Sequence, residues 1–242
     1  MKRFALIIEA SDIPGEGKLP GAAVDAAAYR NWIYSKSGGD WYDGEIVILS
    51  NPTVSEVKKA LAVAGKVDYA FVTFSGHGYH QKELDETKVC LKFGTMTARE
   101  LRPDGDRCTI IIDACRKVMA EEDLLEMYQL STAEARIKAA RMVERNYRQD
   151  FETQVASAEK GAVFLYSCDL NEAAGESSRG GYFSRSMVQV GENFKKKYTD
   201  GTKWLSMDKA FQGAAVLTTE KERSQHPKAE FGRRLAHFPF AV

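Results

Sequence analysis

The sequence predicts an α/β fold in which a mostly parallel sheet is covered by helices. Short runs of β-branched and aromatic residues alternate with longer stretches of helical periodicity, which is the pattern of successive strand–helix–strand units. Right-handed crossovers restrict the topology of such units to a few arrangements. The 242 residues, 44% of them hydrophobic, suffice for one large core, and neither an internal repeat nor a linker divides them. We therefore predict a single domain over residues 1–242.

Each predicted element follows from its local pattern. The strands are rich in β-branched and aromatic residues and are predicted at 4–8, 45–49, 68–74, 109–112 and 162–168, with a last strand in the tail at 238–242. The helices carry apolar residues at helical spacing and are predicted at 22–35, at 182–197 and at 204–219. A further helix is predicted to begin after a cap at Thr53 or Ser55. The polar stretch 76–94 predicts a hairpin outside the main sheet.

Residues 119–159 differ from the rest of the chain. They contain neither proline nor glycine and are rich in Ala, Glu, Arg and Lys, which predicts a long helix or a helical hairpin inserted into the domain. A charged surface helix is the simplest interpretation. The alternative is an element that regulates the protein or recruits a partner protein.

Composition excludes several classes of function. Lys+Arg and Asp+Glu both number 34, so net charge gives no reason to expect nucleic acid or an anionic membrane as a partner. Every apolar stretch is much shorter than the ~20 residues that span a bilayer, and the apolar run at the N-terminus is too short for a signal peptide. Four scattered cysteines are typical of reduced thiols, so we expect a cytoplasmic protein.

Two buried strands end in residues that carry chemistry. One runs into Ser75-Gly76-His77-Gly78 and the next along the chain into Asp113-Ala114-Cys115. The carboxyl ends of parallel strands meet at one edge of a sheet, so we expect His77 and Cys115 to be neighbours. An imidazole can remove the proton from a thiol that attacks a carbonyl, and the backbone N–H groups of Gly78 and Cys115 are candidates to bind the resulting oxyanion.

Simpler interpretations apply to the other cysteines and histidines. Cys90, Cys108 and Cys168 are expected to be core thiols, and a buried structural thiol is the alternative for Cys115 itself. The closeness of His77 and His80 could suggest metal ligation, but Cys90 and Cys108 lack the paired spacing of a zinc site. We therefore predict no metal and no cofactor.

The two strand-end motifs resemble the catalytic motifs of caspase-like cysteine peptidases, most of all metacaspases and bacterial caspase-like proteins. Weaker similarities lie at 21–26, at 167–169 together with Glu176, at 181–184 and at 238–240. The resemblance implies the caspase-hemoglobinase fold, a three-layer α/β/α sandwich around a mostly parallel six-stranded sheet. It also implies a cysteine endopeptidase that uses a His77/Cys115 dyad.

The resemblance extends to the substrate. In metacaspases the pocket for the residue before the cut is acidic, and the matching positions hold Asp25, Ser75 and Asp113. Two carboxylates and a hydroxyl suit a guanidinium or ammonium group and repel an acidic one, so we predict protein or peptide substrates cleaved after Arg or Lys. Asp169 is a further candidate for this pocket. Caspases that cut after Asp use arginines in this role, and the matching positions hold none.

The sequence also departs from the metacaspase pattern. Metacaspases usually continue from the cysteine with His-Ser-Gly, whereas this chain has Arg116-Lys117-Val118. We expect the two basic residues Arg116 and Lys117 either to shield the acidic pocket or to face solvent. The acidic residues do not reproduce the calcium-binding cluster of many metacaspases, so no required calcium is expected. Candidate self-cleavage positions are Arg136, Arg141, Arg145 and Arg148.

Two hypotheses for function follow. The first is the endopeptidase, for which bacterial caspase-like proteins suggest by analogy a role in antiviral defence or regulated cell death. The second is a catalytically silent caspase-like module that binds a partner protein. The intact pair of His77 and Cys115 favours the first hypothesis.

Overall fold

The computed structural model describes residues 1–119, 146–196 and 203–242. The α-helices of this part of the chain are α1 (Pro20–Tyr34), α2 (Val54–Ala64), α3 (Tyr147–Ser157), α4 (Tyr182–Lys196) and α5 (Met207–Lys221). The strands are β1 (Arg3–Ala10), β2 (Ile46–Ser50), β3 (Tyr69–Gly76), β4 (Gly78–Gln81), β5 (Glu86–Leu91), β6 (Gly94–Thr97), β7 (Arg107–Asp113), β8 (Val118–Met119), β9 (Gly161–Tyr166), β10 (Glu176–Ser177), β11 (Gly180–Gly181), β12 (Leu205–Ser206), β13 (Lys228–Glu230) and β14 (Pro239–Ala241).

Six strands form the central sheet in the order β13-β9-β7-β3-β1-β2. The five strands from β9 to β2 are parallel to one another, and the edge strand β13 runs antiparallel to β9. Strands β1 and β3 are buried along their whole length, as expected for a parallel sheet that is covered on both faces.

Successive side chains of a strand point to opposite faces of the sheet, and both faces are covered. On β1, Leu6 and Ile8 pack in the cluster that contains the apolar side of α2. Ala5 and Ile7 pack instead with buried residues of α1, α3, α4 and α5. This arrangement confirms the predicted three-layer α/β fold with a mostly parallel six-stranded sheet.

The start of α2 follows from a local sequence signal. Of the two predicted caps, Thr53 is the N-cap, and its hydroxyl accepts a hydrogen bond from the Glu56 N–H at 3.3 Å. The Glu56 carboxylate in turn accepts from the Thr53 N–H at 2.8 Å. This reciprocal capping box places α2 directly after the turn that follows β2.

The strand predicted in the tail is present, but it lies outside the central sheet. The tail does form a strand, β14, but it pairs with β12 in a separate two-stranded ribbon. Its neighbour Phe238 and its own Phe240 pack on Tyr69 and Trp32, within the helical layer on one face. Burial of these two rings keeps the tail on the face of the sheet and away from its edge.

The sixth strand of the sheet is β13, whose sequence carries no hydrophobic signal. It is only three residues long, Lys228-Ala229-Glu230. Lys228 forms an ion pair with Asp169 at 2.9 Å, and Glu230 forms one with Arg99 at 2.5 Å. Periodicity cannot identify such a short and charged strand.

A second, smaller sheet stands where a hairpin was predicted. Its four strands are ordered β6-β5-β4-β8, and β4 begins two residues after β3 ends. His77 lies between these two strands, and its backbone carbonyl accepts a hydrogen bond from the Cys90 N–H at 2.9 Å. The histidine is therefore held where the two sheets meet.

The predicted helical insertion at 119–159 is described only toward its end. Helix α3 lies there, anchored by buried Phe151 and Val155, whereas residues 120–145 are outside the described residues. Of the candidate self-cleavage positions, only Arg148 is described, and it lies within α3 with its guanidinium on the Glu45 carboxylate. No helix of the described residues is long and apolar enough to cross a membrane.

Candidate active site

The register of the sheet brings the two strand-end motifs together. In the parallel pair β3–β7, Ser75 lies opposite Asp113. His77 and Cys115 each follow two residues later, so both leave the sheet at the same carboxyl edge. Both line one cavity of about 500 Å³.

Gly78 allows the two strand ends to approach each other closely. A methyl group at this position would lie 2.7 Å from the Lys88 carbonyl oxygen, 2.9 Å from Cβ of Ala114 and 3.1 Å from the Cys115 carbonyl oxygen. Any side chain here would therefore push the end of β7 away from His77. Gly78 and Cys115, the predicted oxyanion-binding residues, both line the cavity.

The imidazole of His77 is oriented by the loop between β1 and α1. Its Nε2 lies 2.5 Å from the Gly17 carbonyl oxygen, which can only accept, so this nitrogen carries the ring hydrogen. In the neutral ring Nδ1 then holds the lone pair and is the basic atom. The Glu16 carboxylate lies 3.7 Å from Nδ1. Sequence reasoning did not identify Glu16 or Gly17 as parts of the site.

Cys115 is the accessible cysteine of the chain. It is partly exposed, whereas Cys90, Cys108 and Cys168 are buried, and all four thiols are unpaired. The Ala174 N–H donates to Sγ of Cys115 at 3.3 Å. Burial raises the pKa of the Cys115 thiol, and the hydrogen bond from Ala174 opposes part of this rise. The resting thiol therefore keeps its proton at neutral pH and needs a base before it can attack.

Asp25, Ser75 and Asp113 line the same cavity. Asp25 accepts two hydrogen bonds from the Gly181 N–H, at 3.0 and 3.1 Å, and one from the Ser75 hydroxyl at 2.7 Å. Asp113 accepts from the N–H and the hydroxyl of Ser184 at 2.9 and 2.6 Å. Residues 181 and 184 belong to β11 and the first turn of α4, so this segment holds both carboxyl groups in place.

The donors to both carboxyl groups are uncharged. Neither Asp25 nor Asp113 takes part in an ion pair with a described residue, although both are almost fully buried. Burial raises the pKa of each, and the charge of Asp113 raises that of Asp25 further. Two buried carboxyl groups without a cation are costly to ionise together, so this part of the cavity suits a cationic ligand.

The structure places Asp169 elsewhere and Glu176 at the cavity. The Asp169 side chain is 40% exposed, forms its ion pair with Lys228 and is not part of the cavity lining. Glu176 lines the cavity, and burial together with the charge of Asp113 raises its pKa to about 6. The sequence signal for Glu176 was its place in the family resemblance, which did not assign it to the pocket.

Arg116 fits neither predicted interpretation. It is buried, its Nε donates to the Thr87 hydroxyl at 3.0 Å, and its Nη1 donates to the Cys168 carbonyl at 3.2 Å. Its guanidinium also stacks 4.2 Å from the centroid of the Tyr166 ring. Arg116 therefore fixes the chain that follows Cys115, while the exposed Lys117 lines the cavity.

Within the described ranges, no group of three or more His, Cys, Asp or Glu side chains is arranged to hold a metal ion.

The fold and the family assign the chain to a class. A mostly parallel six-stranded sheet with helices on both faces makes it a three-layer α/β protein. The chain belongs to the caspase domain family, whose family model matches residues 2–231. Among solved structures it is similar to caspase-1 from Spodoptera frugiperda, with a TM-score of 0.59 and 11% identity over 98% of this chain and 92% of that chain. At this identity the likeness concerns the fold alone. No curated protein matches the sequence significantly.

Proposed function

We propose that the protein is a cysteine endopeptidase that cleaves after Arg or Lys with His77 and Cys115 as its catalytic residues. The observation that carries this proposal is the composition of one cavity. A thiol, an imidazole with an orienting hydrogen bond and two buried carboxyl groups that form no ion pair with any described residue all line it. Membership of the caspase domain family supports a peptidase of this type.

The reaction begins with proton transfer from the Cys115 thiol to Nδ1 of His77. The thiolate attacks the carbonyl carbon of the substrate, and the backbone N–H groups of Gly78 and Cys115 bind the oxyanion. The Glu16 carboxylate and the Gly17 carbonyl stabilise the imidazolium. His77 then protonates the departing amine, the C–N bond breaks and an acyl-enzyme remains. Water, deprotonated by His77, releases the acid product and restores the thiol.

Charge determines the side chain accepted before the cut. Asp25 and Asp113 lie at the buried end of the cavity with the Ser75 hydroxyl, and Glu176 adds a third acidic group. A guanidinium or ammonium group entering here gains charge-assisted hydrogen bonds. An aspartate would bring a further negative charge into a buried acidic site. Among the described residues that line the cavity, the only basic side chains are those of His77 and Lys117, and none is an arginine.

A direct test is the hydrolysis of short fluorogenic peptides that end in Arg, Lys or Asp. We expect turnover of the Arg and Lys peptides by the wild type and its loss in Cys115→Ala. Cys108→Ala is the matched control, because Cys108 is a thiol in β7, the strand that leads to Cys115, and lies outside the cavity.

The outcomes separate the parts of the proposal. Preference for Asp would contradict the acidic pocket but leave the dyad intact. Absence of Cys115-dependent turnover would instead favour the catalytically silent interaction module. The role in bacterial defence or regulated cell death rests on analogy alone and stays a prediction.

A further inference from the structure

We propose that Gln225 is a positioning residue, which holds the backbone of residues 174–175 against Cys115 and so sets the reactivity of its thiol. This inference deepens the proposed function and rests on Cys115 being the nucleophile. Gln225 lies outside the cavity lining, so it acts through other residues rather than by touching substrate.

The side chain of Gln225 is fully buried and uses both ends of its amide. Its Nε2 donates to the Ser167 carbonyl at 2.8 Å, just beyond the end of β9. Its Oε1 accepts from the Gly175 N–H at 3.0 Å. The backbone of Gln225 is also fixed, because its N–H donates to the Glu222 carbonyl and its carbonyl accepts from the Thr219 hydroxyl. The amide therefore joins the end of a central strand to the cavity wall at a fixed distance.

Gly175, which donates to Gln225, is adjacent in sequence to the residue that donates to the nucleophile. The adjacent Ala174 N–H is the group that donates to Sγ of Cys115 at 3.3 Å. On the other side, the Gly175 carbonyl accepts from the Tyr182 N–H at 2.9 Å, where α4 begins. Gly175 is thus held through its N–H by Gln225 and through its carbonyl by the start of α4, and the thiol receives its hydrogen bond from the residue that precedes Gly175.

Removing the Gln225 amide should disturb the nucleophile in a defined way. The Ser167 carbonyl and the Gly175 N–H would both lose their partners in a buried site, so the backbone at 174–175 would shift to find new ones. The Ala174 N–H stabilises the thiolate more than the thiol, and its displacement would make Cys115 harder to deprotonate. Small displacements of catalytic groups are costly for the chemical step, whereas the acidic pocket would still bind the substrate.

The test compares Gln225→Met with Gln212→Met. Methionine keeps the length and volume of glutamine without its hydrogen bonds, and Gln212 is an exposed residue of α5 that serves as the control. The primary readout is the rate at which iodoacetamide alkylates Cys115, followed by mass spectrometry between pH 5 and 9. We expect alkylation of Gln225→Met to be about tenfold slower at pH 7.5, with its profile moved to higher pH. On Arg peptides we expect kcat to fall by about 10- to 100-fold with little change in KM.

Gln225→Glu provides a rescue that depends on protonation. A neutral carboxyl group can donate its O–H to the Ser167 carbonyl and accept from the Gly175 N–H, as the amide does. An ionised one would face the Ser167 carbonyl without a hydrogen to donate. We therefore expect its alkylation rate to match the wild type at pH 5 and to fall progressively behind it toward pH 8.

The results that would overturn the proposal are clear. A folded Gln225→Met that is alkylated as fast as Gln212→Met would overturn it. If Gln225→Met does not fold, the glutamate variant decides, and either misfolding at pH 5 or a profile identical to the wild type would count against the proposal. Alkylation does not require peptide cleavage. The expected alkylation pattern in a protein without peptidase activity would therefore refute the proposed function and leave the positioning role in place.

Discussion

Substitution of Asp113 by asparagine should change activity and stability in opposite directions. Asparagine is nearly isosteric, and its side-chain oxygen can still accept from the N–H and hydroxyl of Ser184, as Asp113 does. The variant therefore removes one negative charge from the pocket with little change in shape. We expect the folded protein to become more stable and cleavage after Arg to be lost.

The size of the stability effect follows from the proximity of the two carboxyl groups. A methyl group added to Gly181 would meet Oδ2 of Asp113 and would lie 3.1 Å from Oδ2 of Asp25, so these oxygens are close neighbours. At a separation of about 6 Å and an effective dielectric constant of about 20, two unit charges repel by about 3 kcal/mol. Removal of one charge should raise the free energy of unfolding by about 1–3 kcal/mol at pH 8, which is about 2–10 °C in Tm.

The gain in stability should depend on pH. Burial raises the pKa of both carboxyl groups in the folded protein, so above about pH 4 the folded state binds more protons than the unfolded chain. Stability of the wild type therefore falls as pH rises from about 4 toward the raised pKa values of the folded state. Asp113→Asn lacks this pair of groups, and its advantage should be small at pH 5 and largest at pH 8.

Activity should change by a larger factor than stability. Truncating one partner of a buried, hydrogen-bonded charge pair costs about 2–5 kcal/mol, which corresponds to a loss of about 30-fold to several thousandfold in kcat/KM for an Arg peptide. Thermal melting from pH 5 to 8 and peptide kinetics measure the two effects, with the exposed Asp104→Asn as the control. A variant no more stable than the wild type at pH 8 would refute the coupling of the carboxyl groups. Retained cleavage after Arg would refute their role in substrate binding.

Three further predictions concern neighbouring residues. The pKa of Glu176 is raised to about 6, so kcat/KM for Arg peptides should increase as pH rises through about 6. Glu176→Gln should flatten this increase. An unchanged pH profile in the variant would exclude Glu176 from substrate binding. Arg116→Met should lower the free energy of unfolding by about 2–4 kcal/mol, since it removes two buried hydrogen bonds, and melting should distinguish it from the exposed Arg223→Met. Gly78→Ala should reduce kcat/KM at least tenfold, because its methyl group meets two backbone carbonyl oxygens, whereas Gly44→Ala has open space and should behave as the wild type.

The parts of the site that sequence reasoning identified are those encoded locally. The strand that ends in His77 and the strand that ends in Cys115 each carry a strong apolar run, so their shared edge follows from the parallel topology. The place of Asp113 at this edge follows from the same reasoning, whereas its role in the pocket was assigned through the family resemblance. Asp25 was assigned through the family resemblance, since spacing alone does not relate the first helix to this edge.

Other parts of the site depend on loop conformation, which has no periodic signal. Asp169 and Glu176 lie in one polar stretch of sequence after β9, and the sequence alone does not decide which of them faces the cavity. In the structure, Lys228 of β13 binds the Asp169 carboxylate outside the cavity, and Asn171 turns the chain with a φ of 63°. These two features leave Glu176, and not Asp169, at the cavity. The approach of Gly17 to the histidine likewise depends on the path of the loop between β1 and α1.

The composition of strand β13 has a consequence for assembly. An exposed sheet edge can pair with a strand of another chain, and proteins prevent this with short and charged edge strands. At this edge, an incoming strand would find only three residues to pair with, and it would have to compete with the ion pairs of Lys228 and Glu230. Continuation of the sheet into a second copy of the protein is therefore disfavoured here, so that self-association would have to use a different surface.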